Sequence, residues 1–170
     1  MKALGFLLFL LSGWGLGWAM ASFIRRRPKE LWAWSHALSL LGSEVEYAAL
    51  PLPQVWERLS REVGGLPGRV CREALFLWEK GLRDAGEAWQ KALLASAEGS
   101  ALWPEDQELL LRLSPLLGRT DREDQVRHLR WTAGHLEQRA KELERSSQEK
   151  ARLVLYLSFS GAAALALLLL

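Results

Sequence analysis

Apolar positions fall into three regimes along this chain. From Ala3 to Ile24 there is no charged residue, and about 22 residues at ~1.5 Å rise give roughly 33 Å, enough to cross a hydrocarbon core of about 30 Å. The run Leu153 to Leu170 is also uncharged; about 18 residues lie near the lower limit for a span. Between the two runs, apolar residues recur at helical spacing among charged ones. The pattern predicts a transmembrane helix over 1–24, an all-α domain over 25–152 and a second transmembrane helix over 153–170.

Inside the middle region the periodicity predicts six helices. Pro28 sits in a first turn, and Leu31, Trp34, Leu38, Leu41, Val45 and Ala48 step by three and four, one stripe on one helix face. Leu50-Pro51-Leu52-Pro53 breaks it, because proline lacks a donor and disfavours helix in the residue before it. Leu52, Val55, Leu59 and Val63 mark a second helix, and Gly64-Gly65-Leu66-Pro67-Gly68 reads as a turn. Val70, Ala74, Leu77 and Trp78 mark a third, ending near Gly81. Asp84 with Glu87 is an N-cap signature for a fourth, carrying Ala85, Ala88, Trp89, Ala92 and Leu93. Trp103-Pro104-Glu105-Asp106 opens a fifth, whose buried side is Leu109, Leu110, Leu113, Leu116 and Leu117. After Gly118, Asp121 caps a last helix with the stripe Val126, Leu129, Ala133, Leu136, Ala140 and Leu143. No proline follows Pro115, so this helix is expected to run about 50 residues into the C-terminal span, roughly 75 Å at ~1.5 Å per residue. Its Glu144–Lys150 stretch reads as solvated. Short connections imply antiparallel neighbours.

Mean hydropathy of −0.03 and 25% charged residues conceal this division. Charge then orients it. Ala19-Met20-Ala21 has the form of a signal-peptide cleavage site, but Arg25, Arg26, Arg27 and Lys29 follow at once, against Lys2 on the other flank. Lys141, Arg145, Lys150 and Arg152 precede the second span. Positive flanks stay inside, so both spans place 25–152 in the cytoplasm of a cell membrane, with both termini on the opposite side. Of the 22 basic residues, setting aside Lys2 and Arg152, the 20 that remain match the 20 acidic ones. A balanced domain offers no footprint for nucleic acid. A lone Cys71 fits a reducing compartment and a buried helix position.

Nothing in the pattern builds a catalytic, cofactor or metal site, so no cofactor, metal or small-molecule substrate is expected. The glycine-rich segment lacks a phosphate-loop form. His128 and His135 are seven apart, about 10 Å along a helix, where metal pairs favour three or four. Of nine tryptophans, Trp34, Trp78, Trp89 and Trp131 read as core, whereas Trp32, Trp56 and Trp103 sit off the stripes or at helix starts. The densest polar cluster, Gly118-Arg119-Thr120-Asp121-Arg122-Glu123-Asp124-Gln125, contains a cap and an acidic first turn; Gln125, Arg119, Arg122, Arg127 and Arg130 are left without a specific task.

Leu117-Gly118-Arg119-Thr120-Asp121-Arg122-Glu123-Asp124-Gln125-Val126-Arg127-His128-Leu129 resembles the most specific segment of the stage III sporulation protein AB family. The Arg-Arg-Arg-Pro-Lys-Glu-Leu run from Arg25, Leu40 to Tyr47, Pro51-Leu52-Pro53-Gln54-Val55 and the hydrophobic tail resemble the family in the same order. The resemblance implies a non-enzymatic membrane component of a secretion-like complex joining mother cell and forespore, placed in the mother-cell (outer forespore) membrane. It also implies a helical domain like that of the type II secretion platform protein. The implied partners are a motor ATPase resembling stage III sporulation protein AA and other membrane proteins of the complex. Asp121, Asp124, Gln125, Arg127 and Arg130 are the expected partner surface. The alternatives are a membrane-anchored structural or regulatory adaptor with no ATPase, and a membrane-bound hydrolase, which needs a polar catalytic set in one pocket.

Overall fold

The computed structural model describes residues 15, 19, 22, 24–48 and 50–168. Among them are six α-helices and no strand: α1 Arg26–Ser43, α2 Leu52–Glu62, α3 Gly65–Glu79, α4 Ala85–Ser96, α5 Pro104–Leu111 and α6 Arg122–Leu168, with a π-helical turn, Glu44–Ala48, directly after α1. The expected first span lies almost wholly outside the described residues. Among those described, no helix is long and apolar enough to cross a membrane. Residues 29–140 form one compact unit; the last helix from Lys141 on belongs, with the residues up to Pro28, to a second.

The helical stripes become the core of the compact unit. Leu31, Trp34, Leu38, Leu41 and Val45 of the first, Val55, Leu59 and Val63 of the second, and Val126, Leu129, Ala133, Leu136 and Ala140 of the last are all buried. Consecutive helices pack α2 on α3, α3 on α4 and α4 on α5. Gly42 brings α1 close to α6, since a Cβ there would meet the Leu129 side chain at 3.7 Å. Trp34 and Trp89 meet edge to face at 5.7 Å, and the Trp89 indole N–H donates to the Leu110 carbonyl at 3.1 Å. An indole at the centre of the core thus has both its apolar body and its polar tip satisfied. Cys71 is buried, and desolvation pushes its thiol up to about 12, which leaves no thiolate for chemistry at neutral pH.

Local chemistry sets the helix ends. Asp84 caps α4, its Oδ1 accepting the Glu87 N–H at 3.1 Å. Asp121 does the same for α6, accepting the Asp124 N–H at 2.8 Å. α3 ends in a Schellman pattern: Gly81 adopts φ +103°, its N–H donates to Trp78 O, and Leu82 N–H donates to Leu77 O.

The structure corrects several expectations. The Gly64–Gly68 segment is not a free turn: α3 starts at Gly65, so Leu66, Pro67 and Gly68 form a buried first turn. A Cβ on Gly68 would sit 2.0 Å from the Val63 carbonyl oxygen, so only glycine permits the approach of α3 to the end of α2. α5 stops at Leu111 because Pro115 has no N–H to return to that carbonyl. The chain continues instead through i→i+3 turns from Leu110 to Ser114, which still bury Leu113 and Leu117. The first stripe passes into a wide π turn at 44–48, which carries Glu44 to Arg58 of α2 at 2.9 Å and Glu46 to Arg130 of α6. Trp56 is fully buried, whereas Trp131 is 58% exposed and stacks on His135 with ring centroids 5.4 Å apart. Within the Glu144–Lys150 stretch, Ser147 is buried, as is Ala151 one turn on.

Gly134 is the loose position in α6. A Cβ there meets nothing within 4 Å and the residue is exposed. Gly134→Ala is expected to stabilise the protein by about 0.5–1 kcal/mol through helix propensity, read as a rise in thermal midpoint.

Candidate interaction cleft

Three stretches far apart in sequence meet at one end of the compact unit. The N-terminal turn of α2 brings Pro51, Leu52 and Pro53, the loop between α3 and α4 brings Arg83 and Asp84, and the turn before α6 brings Leu117, Gly118 and Arg119. Together with Trp78 and Gln125 they line a cleft of about 660 Å³, within the size range of sites that hold a ligand or a protruding side chain.

Each wall has a local cause. Pro51 has φ −59° and ψ 142°, and Leu52 and Pro53 open α2, so the two prolines present a rigid apolar edge without free N–H groups. Trp78 is held from behind by the buried Trp56, edge to face at 6.4 Å, and the Arg83 guanidinium lies over its ring at 5.4 Å. Gly118 takes φ +76°, and a Cβ there would press on Ala85 at 3.2 Å; glycine is required by both conformation and space.

Two charged groups of the cleft are engaged with each other. Arg119 Nη2 donates to Asp84 Oδ2, while the other carboxylate oxygen of Asp84 caps α4. These bonds, the Arg119 one first, hold the Asp84 carboxyl below the usual aspartate range. A depressed folded-state value contributes stability that is present above the unfolded value, about 3.9, and is lost as pH falls through the folded one. Asp84→Asn is therefore expected to be less stable than the parent at neutral pH, with the difference closing on acidification below the normal aspartate range. Parallel thermal melts from pH 7 to pH 2.5 measure it, and a constant gap would remove the ion pair as its cause.

The five residues expected at a partner surface have different fates. Gln125 is buried and its Nε2 donates to the Thr120 carbonyl at 2.8 Å, fixing the turn before α6 and closing one side of the cleft. Asp121 is spent on the cap. Asp124 pairs with Arg127 one turn away, and Arg130 pairs with Glu46. Asp124, Arg127 and Arg130 step by three, each step falling about 60° short of a full turn, so they fan around the outside of α6 instead of entering the cleft. Sequence reasoning leaves Arg119 without a task and treats Asp84 as a cap alone. It does single out Pro51–Gln54 and Leu117–Gln125, the two segments that meet here; Trp78 and Arg83 carry no signal beyond helix periodicity and a loop. No group of three or more His, Cys, Asp or Glu able to hold a metal ion occurs among the described residues.

The model of the family described as stage III sporulation protein AB matches residues 2–170. The stage III sporulation protein AB of Bacillus subtilis (strain 168) is 24% identical over 169 residues, 99% of each chain. A solved structure of a stage III sporulation protein AB, 23% identical, superposes with a TM-score of 0.66 over 72% of this chain and 97% of that one, and so shares the helical fold. These names denote a sporulation protein and not an enzyme class. With a family match over nearly its whole length, the chain belongs to the stage III sporulation protein AB family.

Proposed function

We propose that this chain is a non-enzymatic membrane component of a secretion-like sporulation complex, and that its helical domain is the platform on which a cytoplasmic motor ATPase docks. The two uncharged terminal runs, each with its basic flank facing 25–152, anchor it in the cell membrane with both termini on the far side. The cleft carries the reading. It is an apolar slot with rigid proline and tryptophan walls, assembled from three separate segments; Asp84 is committed to Arg119 and the α4 cap, and Arg83 lies over the Trp78 ring. Committed groups position a partner; they do not supply a free acid, base or nucleophile. Aromatic and arginine side chains in a partly desolvated pocket are the composition of a binding hot spot. Asp121, which caps α6, and Asp124, Arg127 and Arg130 on the outer side of its early turns extend this surface as a polar margin outside the cleft.

Co-expression with the motor ATPase of the same complex tests this. Capture of the ATPase from detergent extracts is expected with the parent chain and is expected to fall at least tenfold with Arg83→Glu, which reverses charge at the mouth without touching the core. Asp124→Arg, at the margin, is expected to weaken capture by a smaller factor. Undiminished capture by both folded variants would move the interface elsewhere. No capture even by the parent would favour an adaptor that meets only membrane partners.

A further inference from the structure

The chain is nearly neutral over 25–152, yet the division into compact units separates its charge. Residues 29–140 hold 14 basic and 17 acidic residues, a net of −3; the remainder, 1–28 with 141–170, holds eight basic and three acidic, a net of +5. Among the described residues of the compact unit, eight of the 14 cations pair with carboxylates, among them Arg58, Arg61, Lys91, Arg112, Arg119 and Arg139. In the second unit Arg25, Arg26, Arg145, Lys150 and Arg152 are all exposed and stand outside every ion pair found among the described residues. The acidic residues of that unit, Glu142, Glu144 and Glu149, are too few to balance them. Arg25 adjoins the first uncharged run and Arg152 the second; Arg26 and Lys150 lie within three residues of a run and Arg145 within eight.

We infer that these cations form a collar that binds the headgroups of anionic phospholipids. The inference rests on the membrane reading above. Long arginine and lysine side chains at the end of an apolar helix extend to the headgroup layer, and juxtamembrane basic clusters attract anionic lipids over about one Debye length. A free phosphate offers the same chemistry, but exposed cations bordering each of the two apolar runs fit a surface of phosphates. The acidic balance of 29–140 acts oppositely, so the chain combines one lipid-seeking unit with another that is not drawn to an anionic surface.

The full-length chain in nanodiscs of phosphatidylcholine with 30% phosphatidylglycerol, extracted gently and examined by native mass spectrometry, provides the test. The expected result is retention of phosphatidylglycerol over phosphatidylcholine by fivefold or more, diminishing in 0.5 M salt. Arg145→Gln/Lys150→Gln/Arg152→Gln is expected to bring the ratio close to one, and Arg112→Gln/Arg122→Gln, in the compact unit, to leave it unchanged. Equal retention of the two lipids by the parent chain, or a triple variant that keeps the preference, overturns the inference while the membrane reading stands. A chain that enters no bilayer overturns the membrane reading and this inference together.

Discussion

Arg139→Ala is expected to lower stability by about 3 kcal/mol, because it takes the arginine charge away from a fully buried carboxylate. Asp106 is 0% exposed; its Oδ1 lies 3.0 Å from Arg139 Nη1, and its Oδ2 accepts the Trp103 N–H at 3.0 Å, closing the first turn of α5. Arg139 also reaches Glu105 at 2.9 Å, so one guanidinium from α6 clamps two consecutive carboxylates at the start of α5. Without it Asp106 keeps its burial and its bond from the Trp103 N–H but loses the guanidinium that faces its Oδ1. For a domain of this size the loss corresponds to a fall in thermal midpoint of roughly 10 °C, followed by tryptophan fluorescence of the full chain in detergent. Arg139→Lys retains charge but not the planar fork that serves two acceptors, and should lose an intermediate amount. Adding Asp106→Asn to Arg139→Ala should recover part of the loss, since the uncompensated charge is gone; a double variant as unstable as the single would assign the effect to packing. Arg112→Ala, which breaks an exposed pair with Glu108, should cost well under 1 kcal/mol.

That ion pair is not legible in the sequence, where Asp106 is one of two acids in a helix first turn and Arg139 one of many cations on a long helix. Contacts between residues 33 positions apart leave no local periodic signal. What the sequence does carry is angle. The first stripe predicts the buried face residue by residue along α1 and on to Val45 of the π turn, and the Asp84 and Asp121 caps predict two helix starts that the structure reproduces. The two tryptophan errors show the same rule from the other side. Trp56 follows Val55 directly, and at about 100° per residue it falls near the edge of the Val55–Leu59 stripe, within the buried arc. Trp131 lies nearly opposite the Val126–Ala140 stripe and is exposed. Nearness to a stripe along the chain misleads where the angle around the helix would serve. The cleft is half visible, because two of its segments stand out in the sequence, but their meeting depends on where α5 stops. That is decided by the missing N–H of Pro115 and by close backbone approaches that glycine permits.

Gly86→Ala is expected to disturb fold and cleft together. The residue is in the first turn of α4, and a Cβ there would lie 2.0 Å from the Ser114 carbonyl oxygen, 3.0 Å from its carbon and 3.3 Å from Asp84 Oδ1. The obstacle is backbone, so no side-chain rotation relieves it; α4 and the 112–120 turns must separate by about an ångström or more. Overpacking of this kind costs about 1–3 kcal/mol, and the upper end is expected here because two main chains are in contact. The gain in helix propensity, about 1 kcal/mol in a helix interior, is smaller in a first turn and does not offset it. Separation also pulls at the Trp89 bond to Leu110 and draws Arg119 away from Asp84 across the cleft. The variant should therefore melt several degrees lower, show an altered tryptophan emission spectrum before unfolding, and lose ATPase capture at temperatures where it is still folded. Gly134→Ala, the same substitution where space is open, should melt higher. If Gly86→Ala melted with the parent, the close approach of α4 to the turn would not be what holds the cleft in shape.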